Sequence, residues 1–366
     1  MIAIQALLTA IVEKKASDLH MRVGVPPVLR IDGALYRLQG DPVSAADMDL
    51  VFKELMNEAQ YATFHQTHEL DFAYGLRGVG RFRINAYSQR GTPSLAIRTI
   101  RTDVPKFDEL ALPDVILDIA MNKRGLILVT GTTGSGKSTL LASMIDHINT
   151  HASMNIVTIE DPVEFLHRDK KSIIVQREIG MDTHDFPTAL RSSFRQDPDI
   201  ILIGEIRDTI TMEIALSASD TGHLVLSTLH TMNAVETLSR IISFFPPHQH
   251  NQVRLVLSTV LVAVVSLRLL PRKDGKGRVP ASEVLISNAA ITEYIRDPDK
   301  SHLIMTAMAE GYTQYGSQTF DQSLLQLYRD EFITLQIAKQ YANNPDDFEL
   351  KIKGVEGTSD RSWISK

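Results

Sequence analysis

Residues Gly131-Thr132-Thr133-Gly134-Ser135-Gly136-Lys137-Ser138 satisfy the spacing G-x-x-x-x-G-K-[ST] at every position. That spacing serves the holding of phosphate. Glycines let successive backbone N–H groups turn inward around anionic oxygens, and a helix N-terminus behind them adds partial positive charge. Lys137 can then reach the β- and γ-phosphates of a nucleotide such as ATP, and the Ser138 hydroxyl can ligate Mg²⁺. Thr139 completes the expected nucleotide-binding set. The flanks have the required character. Leu126-Ile127-Leu128-Val129-Thr130 reads as a buried strand, and Thr139 to Ile145 has helical spacing of apolar residues.

Two acidic clusters follow at useful distances along the chain. Ile156-Val157-Thr158-Ile159-Glu160-Asp161-Pro162-Val163-Glu164 reads as an apolar strand ending in three carboxylates. Asp199-Ile200-Ile201-Leu202-Ile203-Gly204-Glu205 is a second such strand, followed by Ile206-Arg207-Asp208. Ligands of open parallel sheets bind beyond the carboxyl ends of the strands, so both clusters can face Lys137. One carboxylate can hold hydrated Mg²⁺ while another orients or deprotonates the attacking water. A third pattern, Thr221-Gly222-His223-Leu224-Val225-Leu226-Ser227-Thr228-Leu229-His230, is a strand with a histidine at each end. Beside a triphosphate, one of these can donate a hydrogen bond to the γ-phosphate. No cysteine or acid cluster accompanies them, so a zinc site is not expected.

These groups need two domains to position them. The 366 residues are enough for two cores, and the apolar share of 43% and charged share of 22% are ordinary for globular chains. A net charge of −6 speaks against a nucleic-acid translocase. With no cysteine, disulfides and cysteine-ligated zinc cannot form. The longest uncharged apolar stretch, Leu255 to Leu267, is too short to span a bilayer and reads as a buried core helix. The N-terminus lacks a basic signal-peptide start, so the expected location is cytoplasmic, with no direct membrane insertion.

Along the chain, residues 1–101 read as a small α+β domain. A helix is expected over Ile4 to Lys15, a strand over Asp18 to Arg22, a hairpin-like Leu29 to Leu35 and a helix over Ala45 to Met56. Alternating strands follow at Leu70–Tyr74, Gly80–Tyr87 and Ser94–Arg98. Residues 102–113, with two prolines, read as a linker. Residues 114–353 alternate strand and helix signals, as a mostly parallel sheet requires. Residues 354–366 read as a flexible polar tail that carries the one tryptophan, Trp363.

Together these residues resemble the secretion-ATPase superfamily, and within it the retraction ATPases of type IV pili. The resemblance is carried by Gly131–Ser138, Glu160–Glu164, Leu190-Arg191 through Arg195–Asp199, Gly204-Glu205 with Arg207-Asp208, and the His223/His230 pair. Ala16-Ser17-Asp18-Leu19-His20, Gly80–Asn85 and Gln318–Leu324 also match, so it covers nearly the whole chain. It implies a PAS-like N-terminal α+β domain, a RecA-like α/β P-loop ATPase domain and a homo-hexameric ring. It implies roles as well: Glu164 as catalytic base, Glu205 as the acid on the Mg²⁺ side, and His223 and His230 as phosphate sensors. Arg81, Arg83 and Arg98 are implied as arginine fingers, with Arg195 a further candidate. Implied partners are an inner-membrane pilus platform protein and a second retraction ATPase, at the inner face of the cytoplasmic membrane.

Extension and type II secretion relatives carry an extra N-terminal domain and a tetra-cysteine zinc module. This chain starts at the PAS-like domain and has no cysteine, which favours retraction. The family's Ala-Ile-Arg-Asn-Leu-Ile motif reads Ala290-Ile291-Thr292-Glu293-Tyr294-Ile295 here. Apolar spacing survives, but the basic and amide positions do not. Ser219-Asp220 stands where Ala-Glu is usual and keeps the charge. An accessory retraction ATPase, an extension-type motor and a RecA-like nucleic-acid translocase remain as alternatives.

Overall fold

The computed structural model describes residues 3–31, 33–100 and 103–352, apart from the side chains of 347 and 351. The expected tail with Trp363 lies outside the described residues, as does Thr102 at the start of the expected linker. The chain divides into two compact units, Met1–Asp103 with Val163–Leu166, and Val104–Pro162 with His167–Lys366.

In the first unit, helix Ile4–Glu13 places Ile4, Leu8 and Ile11 one above another, and all three are fully buried. Six strands follow: β1 (Asp18–Arg22), β2 (Val28–Ile31), β3 (Ala34–Arg37), β4 (Glu69–Leu76), β5 (Gly80–Gln89) and β6 (Thr92–Ile100). They pair antiparallel throughout, in the order β3-β2-β1-β6-β5-β4. Period-two alternation sends Leu19, Met21, Phe82, Ile84, Leu95 and Ile97 to one face, where they join the apolar sides of the helices Ile4–Glu13 and Ala45–Leu55. Each such side chain, fully buried, contributes about 1.5–3 kcal/mol.

The sequence pattern does not predict the helix Glu58–Thr67. It buries only Phe64, so no apolar period announces it. Its signal is a capping box, in which Asn57 and Gln60 satisfy each other's backbone N–H groups.

The second unit contains β7 (Gly125–Thr130), β8 (Asn155–Glu160), β9 (Ile173–Glu178), β10 (Ile200–Ile203), β11 (Leu224–Leu229), β12 (Leu261–Pro271) and β13 (Arg278–Ile286). The order is β13-β12-β7-β11-β10-β8-β9, parallel except for the β12–β13 pair. Both faces are covered, which is why β7, β10 and β11 are buried at every residue. Ile127 and Val129 pack with Leu140, Met144 and Ile148 of helix Lys137–His151. Leu126 and Leu128 face the other way, with Ala215, Leu238 and Ile241 of the helices Thr209–Asp220 and Ala234–Ser243. Within the expected linker, Phe107 opens the short 3-10 turn Phe107–Glu109 and is buried in this unit's core.

One expectation is corrected. The apolar run Leu255–Leu267 is not a single core helix: helix His250–Val260 ends inside it and β12 begins at Leu261. A strand covered on both faces is as continuously apolar as a buried helix, so periodicity cannot separate them. The β-branched Val262, Val264 and Val265 mark where the strand begins.

Among the described residues, no helix is long and apolar enough to cross a membrane.

Candidate active site

The phosphate loop leaves the sheet directly after β7. Gly131 has φ +139°, a conformation that disfavours side chains, and a Cβ there would lie 2.5 Å from the Leu267 carbonyl oxygen and from Ser135 Oγ. Only glycine fits that turn. Gly136, at φ +101°, caps helix Lys137–His151, so the helix N-terminus points its free N–H groups back toward the loop. Lys137 is only 8% exposed. Its Nζ donates to the carbonyls of Gly131 (2.7 Å) and Thr132 (3.1 Å). Ser135 Oγ is buried and has no hydrogen-bond partner. A buried cation, an orphaned hydroxyl and open helix N–H groups are what an oligophosphate satisfies.

Register brings further groups to this edge. Leu229 pairs with Thr130, so His230 and Gly131 are the next residues out of the sheet on neighbouring strands. Ile203 pairs with Ser227, and Ile206 N–H donates to the Thr228 carbonyl at 3.1 Å, which sets Glu205 beside His230. Glu205 Oε2 lies 3.3 Å from His230 Nε2, and its other oxygen is paired with Arg207. The Glu205 side chain is only 14% exposed. At the end of β8, Glu160 accepts from Thr158 Oγ1 at 2.7 Å and Gln176 Nε2 at 3.2 Å. The run expected as one strand to Glu164 is β8 only as far as Glu160.

Two of the other expected residues, His223 and Arg195, lie at the opposite edge of the sheet. Glu164 belongs to the segment Val163–Leu166 of the first unit. His223 precedes β11, at the amino-terminal edge of the sheet, where its carbonyl accepts from Gly125 N–H at 3.0 Å. The whole length of β11 separates it from His230, roughly 20 Å at 3.3 Å per residue. Phe194 stacks edge-on to the His223 ring at 5.6 Å, and Arg195 follows it at this same far edge, before β10. Of the two histidines, His230 alone leaves the sheet beside this chain's phosphate loop.

Arg81, Arg83 and Arg98 do come together. Arg83 and Arg98 are direct cross-strand partners, and Arg81 shares their face of β5, the side opposite Phe82 and Ile84. Two adjacent like charges destabilise a sheet unless something answers them. Asp18 does so, as sequence alone did not reveal. It is 8% exposed, pairs with Arg98 in β6, and its Oδ1 accepts from Arg98 Nε at 2.8 Å. Its Oδ2 accepts from Ser17 Oγ at 2.8 Å and faces Arg30 Nε at 3.9 Å. Arg83 leans toward Asp71 at 3.9 Å.

Burial alone would raise the Asp18 pKa; the hydrogen bonds from Arg98 and Ser17 outweigh it and hold the group below the ordinary 3.8. A depressed acid stabilises the fold fully above its unfolded pKa and loses that contribution as pH falls through the folded value. Asp18→Asn is therefore expected to cost about 1 kcal/mol at pH 7, discounted because Arg98 is 70% exposed. The gap between the urea midpoints of the two proteins should narrow as pH falls below the ordinary carboxyl value of 3.8. A gap that does not narrow at any acid pH at which both proteins remain folded would assign the loss to packing.

A phosphate loop at the carboxyl edge of a mostly parallel sheet, with an acid–histidine pair on the adjoining strands, defines a nucleoside-triphosphatase. The family described as Type II/IV secretion system protein matches residues 1–294, and the chain belongs to that family and is an ATPase. It is 41% identical to the type IV pilus ATPase PilU of Pseudomonas aeruginosa over 357 residues, 97% of this chain and 93% of that one. It is also 41% identical to PilT, the type IV pilus retraction ATPase of the same organism, over 345 residues, 94% and 99% of the two chains. The crystal structure of the pilus retraction motor PilT with bound ADP matches with a TM-score of 0.87 and 43% identity, covering 95% of this chain and 99% of that one. The two-unit α/β fold is the one found there.

Proposed function

We propose that the chain is a motor of type IV pili, coupling ATP hydrolysis to pilus retraction as a homo-hexamer at the inner face of the cytoplasmic membrane. The observation that supports this most is the 41% identity to both PilT and PilU over more than nine-tenths of each chain, against 34% to a type II secretion relative. A second reading, an accessory retraction motor, is favoured by Thr292-Glu293 in the helix Ala289–Arg296, where the family motif is basic and amide. Glu293 there pairs with Lys300. The platform protein of the pilus and a second retraction ATPase are the proposed partners.

In the proposed reaction, water attacks the γ-phosphorus and the bond to the ADP oxygen breaks. Lys137 exchanges its loop carbonyls for phosphate oxygens, and His230, oriented by Glu205, donates toward the γ-phosphate. Glu164 takes the proton from water. Ser138, and Glu205 through water, are the groups that would hold Mg²⁺, which when bound neutralises phosphate charge. Among the described residues, no three His, Asp or Glu side chains converge as a metal cage, a pattern compatible with an ion shared with the substrate. Arg81, Arg83 and Arg98 are proposed to stabilise transition-state charge. His223 and Arg195, at the far edge, are proposed to serve a neighbouring subunit's nucleotide. Residues 1–101 and 114–353 are proposed as the two domains and 102–113 as their linker.

Deleting the gene tests the reading. Heavily piliated cells whose pili no longer shorten, scored by fluorescent pilus labelling, are the expected result. Bald cells would identify an extension motor, and normal retraction force with altered load tolerance an accessory one.

A further inference from the structure

One buried acid has no part in the site described so far. Glu283, on β13, is fully buried. Its Oε1 accepts the backbone N–H of Ala234, the first residue of helix Ala234–Ser243, at 2.7 Å. Its Oε2 is buried without a hydrogen-bond partner. Arg268 on β12, the obvious cation, is engaged elsewhere: it donates to the Tyr341 carbonyl at 3.1 Å and stacks on the Phe320 ring at 3.7 Å.

The position of this acid gives it leverage. Glu283 pairs with Ser266 of β12, and Ser266 pairs with Thr130 of β7, whose hydroxyl donates to Ser266 Oγ at 2.8 Å. Thr130 is the last residue before the phosphate loop. The cross-strand row Thr130–Ser266–Glu283 thus runs at the level where the loop begins, and Glu283 extends it to Ala234. Ala234 in turn closes the short turn that starts at His230. Inside that turn Thr231 Oγ1 meets Thr237 Oγ1 at 2.7 Å, and Met232 N–H donates to Glu236 at 2.9 Å. The turn is thus tied to the helix Ala234–Ser243, and Glu283 ties the first residue of that helix to β13.

We propose that Glu283 is a positioning residue for ATP hydrolysis: by accepting the Ala234 N–H it anchors the turn His230–Asn233 to the β12–β13 pair and holds His230 at the carboxyl edge. This rests on the reading that His230 acts on the phosphate. Burial pushes the Glu283 carboxyl up to about 7 against the pull of the Ala234 N–H and Arg268, while Asp321, from helix Phe320–Arg329, adds to the rise. The acceptor, not the charge, is what the anchor needs, so glutamine is the conservative replacement.

The test uses the purified full chain with ATP at pH 7.5, measuring kcat and KM for the wild type, E283A, E283Q, H230A and the double variant H230A/E283A. E283A should lower kcat about tenfold or more with KM within about threefold, and E283Q should restore kcat to within about threefold. Because Glu283 acts through His230, the double variant should be no more than about twofold worse than H230A. Multiplying losses in the double variant, or a folded E283A with wild-type kcat, overturns the proposal and leaves the role of His230 standing. An H230A enzyme with normal kcat overturns both. Should E283A fail to fold, E283Q decides alone: kcat within threefold supports the anchor, and a tenfold loss overturns it.

Discussion

Lys137→Ala is expected to abolish measurable ATP turnover, with kcat reduced by at least about 10²–10³-fold. The side chain is a buried cation whose partners include two carbonyl oxygens of its own loop, Gly131 and Thr132. A positive charge held so close to an anion site, in a low-dielectric surround, strengthens as charge develops on the phosphate oxygens during transfer. Alanine removes that charge and leaves both carbonyls facing the phosphates. Binding of a fluorescent ADP analogue should weaken as well, because the proposed Lys137–phosphate contact is one made in the ground state too. Phosphate release by a coupled assay, beside far-UV circular dichroism to establish folding, checks this. Turnover within tenfold of wild type would remove Lys137 from the chemistry.

Glu164→Gln is expected to leave nucleotide binding nearly intact while hydrolysis falls about 10²–10⁴-fold, the share a positioned general base supplies. Glutamine matches glutamate in shape but cannot take the proton from water. Glu205→Gln is the necessary companion. Glu205 has one oxygen with Arg207 and the other 3.3 Å from His230, so its amide would disturb two neighbours at once. That variant should lose both turnover and Mg²⁺-dependent nucleotide affinity, read from titrations with and without the metal. If Glu164→Gln keeps normal turnover and Glu205→Gln loses turnover with unchanged affinity, the base is Glu205.

Much of this is legible in the amino-acid sequence. Eight consecutive residues make the phosphate loop, with apolar strand before and helical spacing after, and Gly125–Thr130 and Lys137–His151 take those forms. Strands with a clean two-residue alternation, such as Gly80–Gln89, were legible for the same reason: one face meets a core and the other meets water. Where both sides of a segment are buried, or neither is, that signal vanishes. The strand half of Leu255–Leu267, buried on both faces, therefore concealed where the helix gives way to β12, and Glu58–Thr67 concealed a helix with one buried residue.

Phosphate binding and membership of the secretion ATPases are written in short runs of neighbouring residues of this chain and need no fold to be read. Which of its scattered polar groups share an edge was decided only by the tertiary structure. His223 and His230 are symmetrical about their strand in sequence, yet the parallel direction of β11 beside β7 sends one of them to the loop and the other to the opposite edge. Asp18 and Arg98 are eighty residues apart and meet because β1 and β6 are neighbours in antiparallel register. Glu283 reaches Ala234 because β13 lies outside β12, and β12 beside β7. Strand order and direction depend on how distant apolar faces pack together, and no local spacing of residues records that.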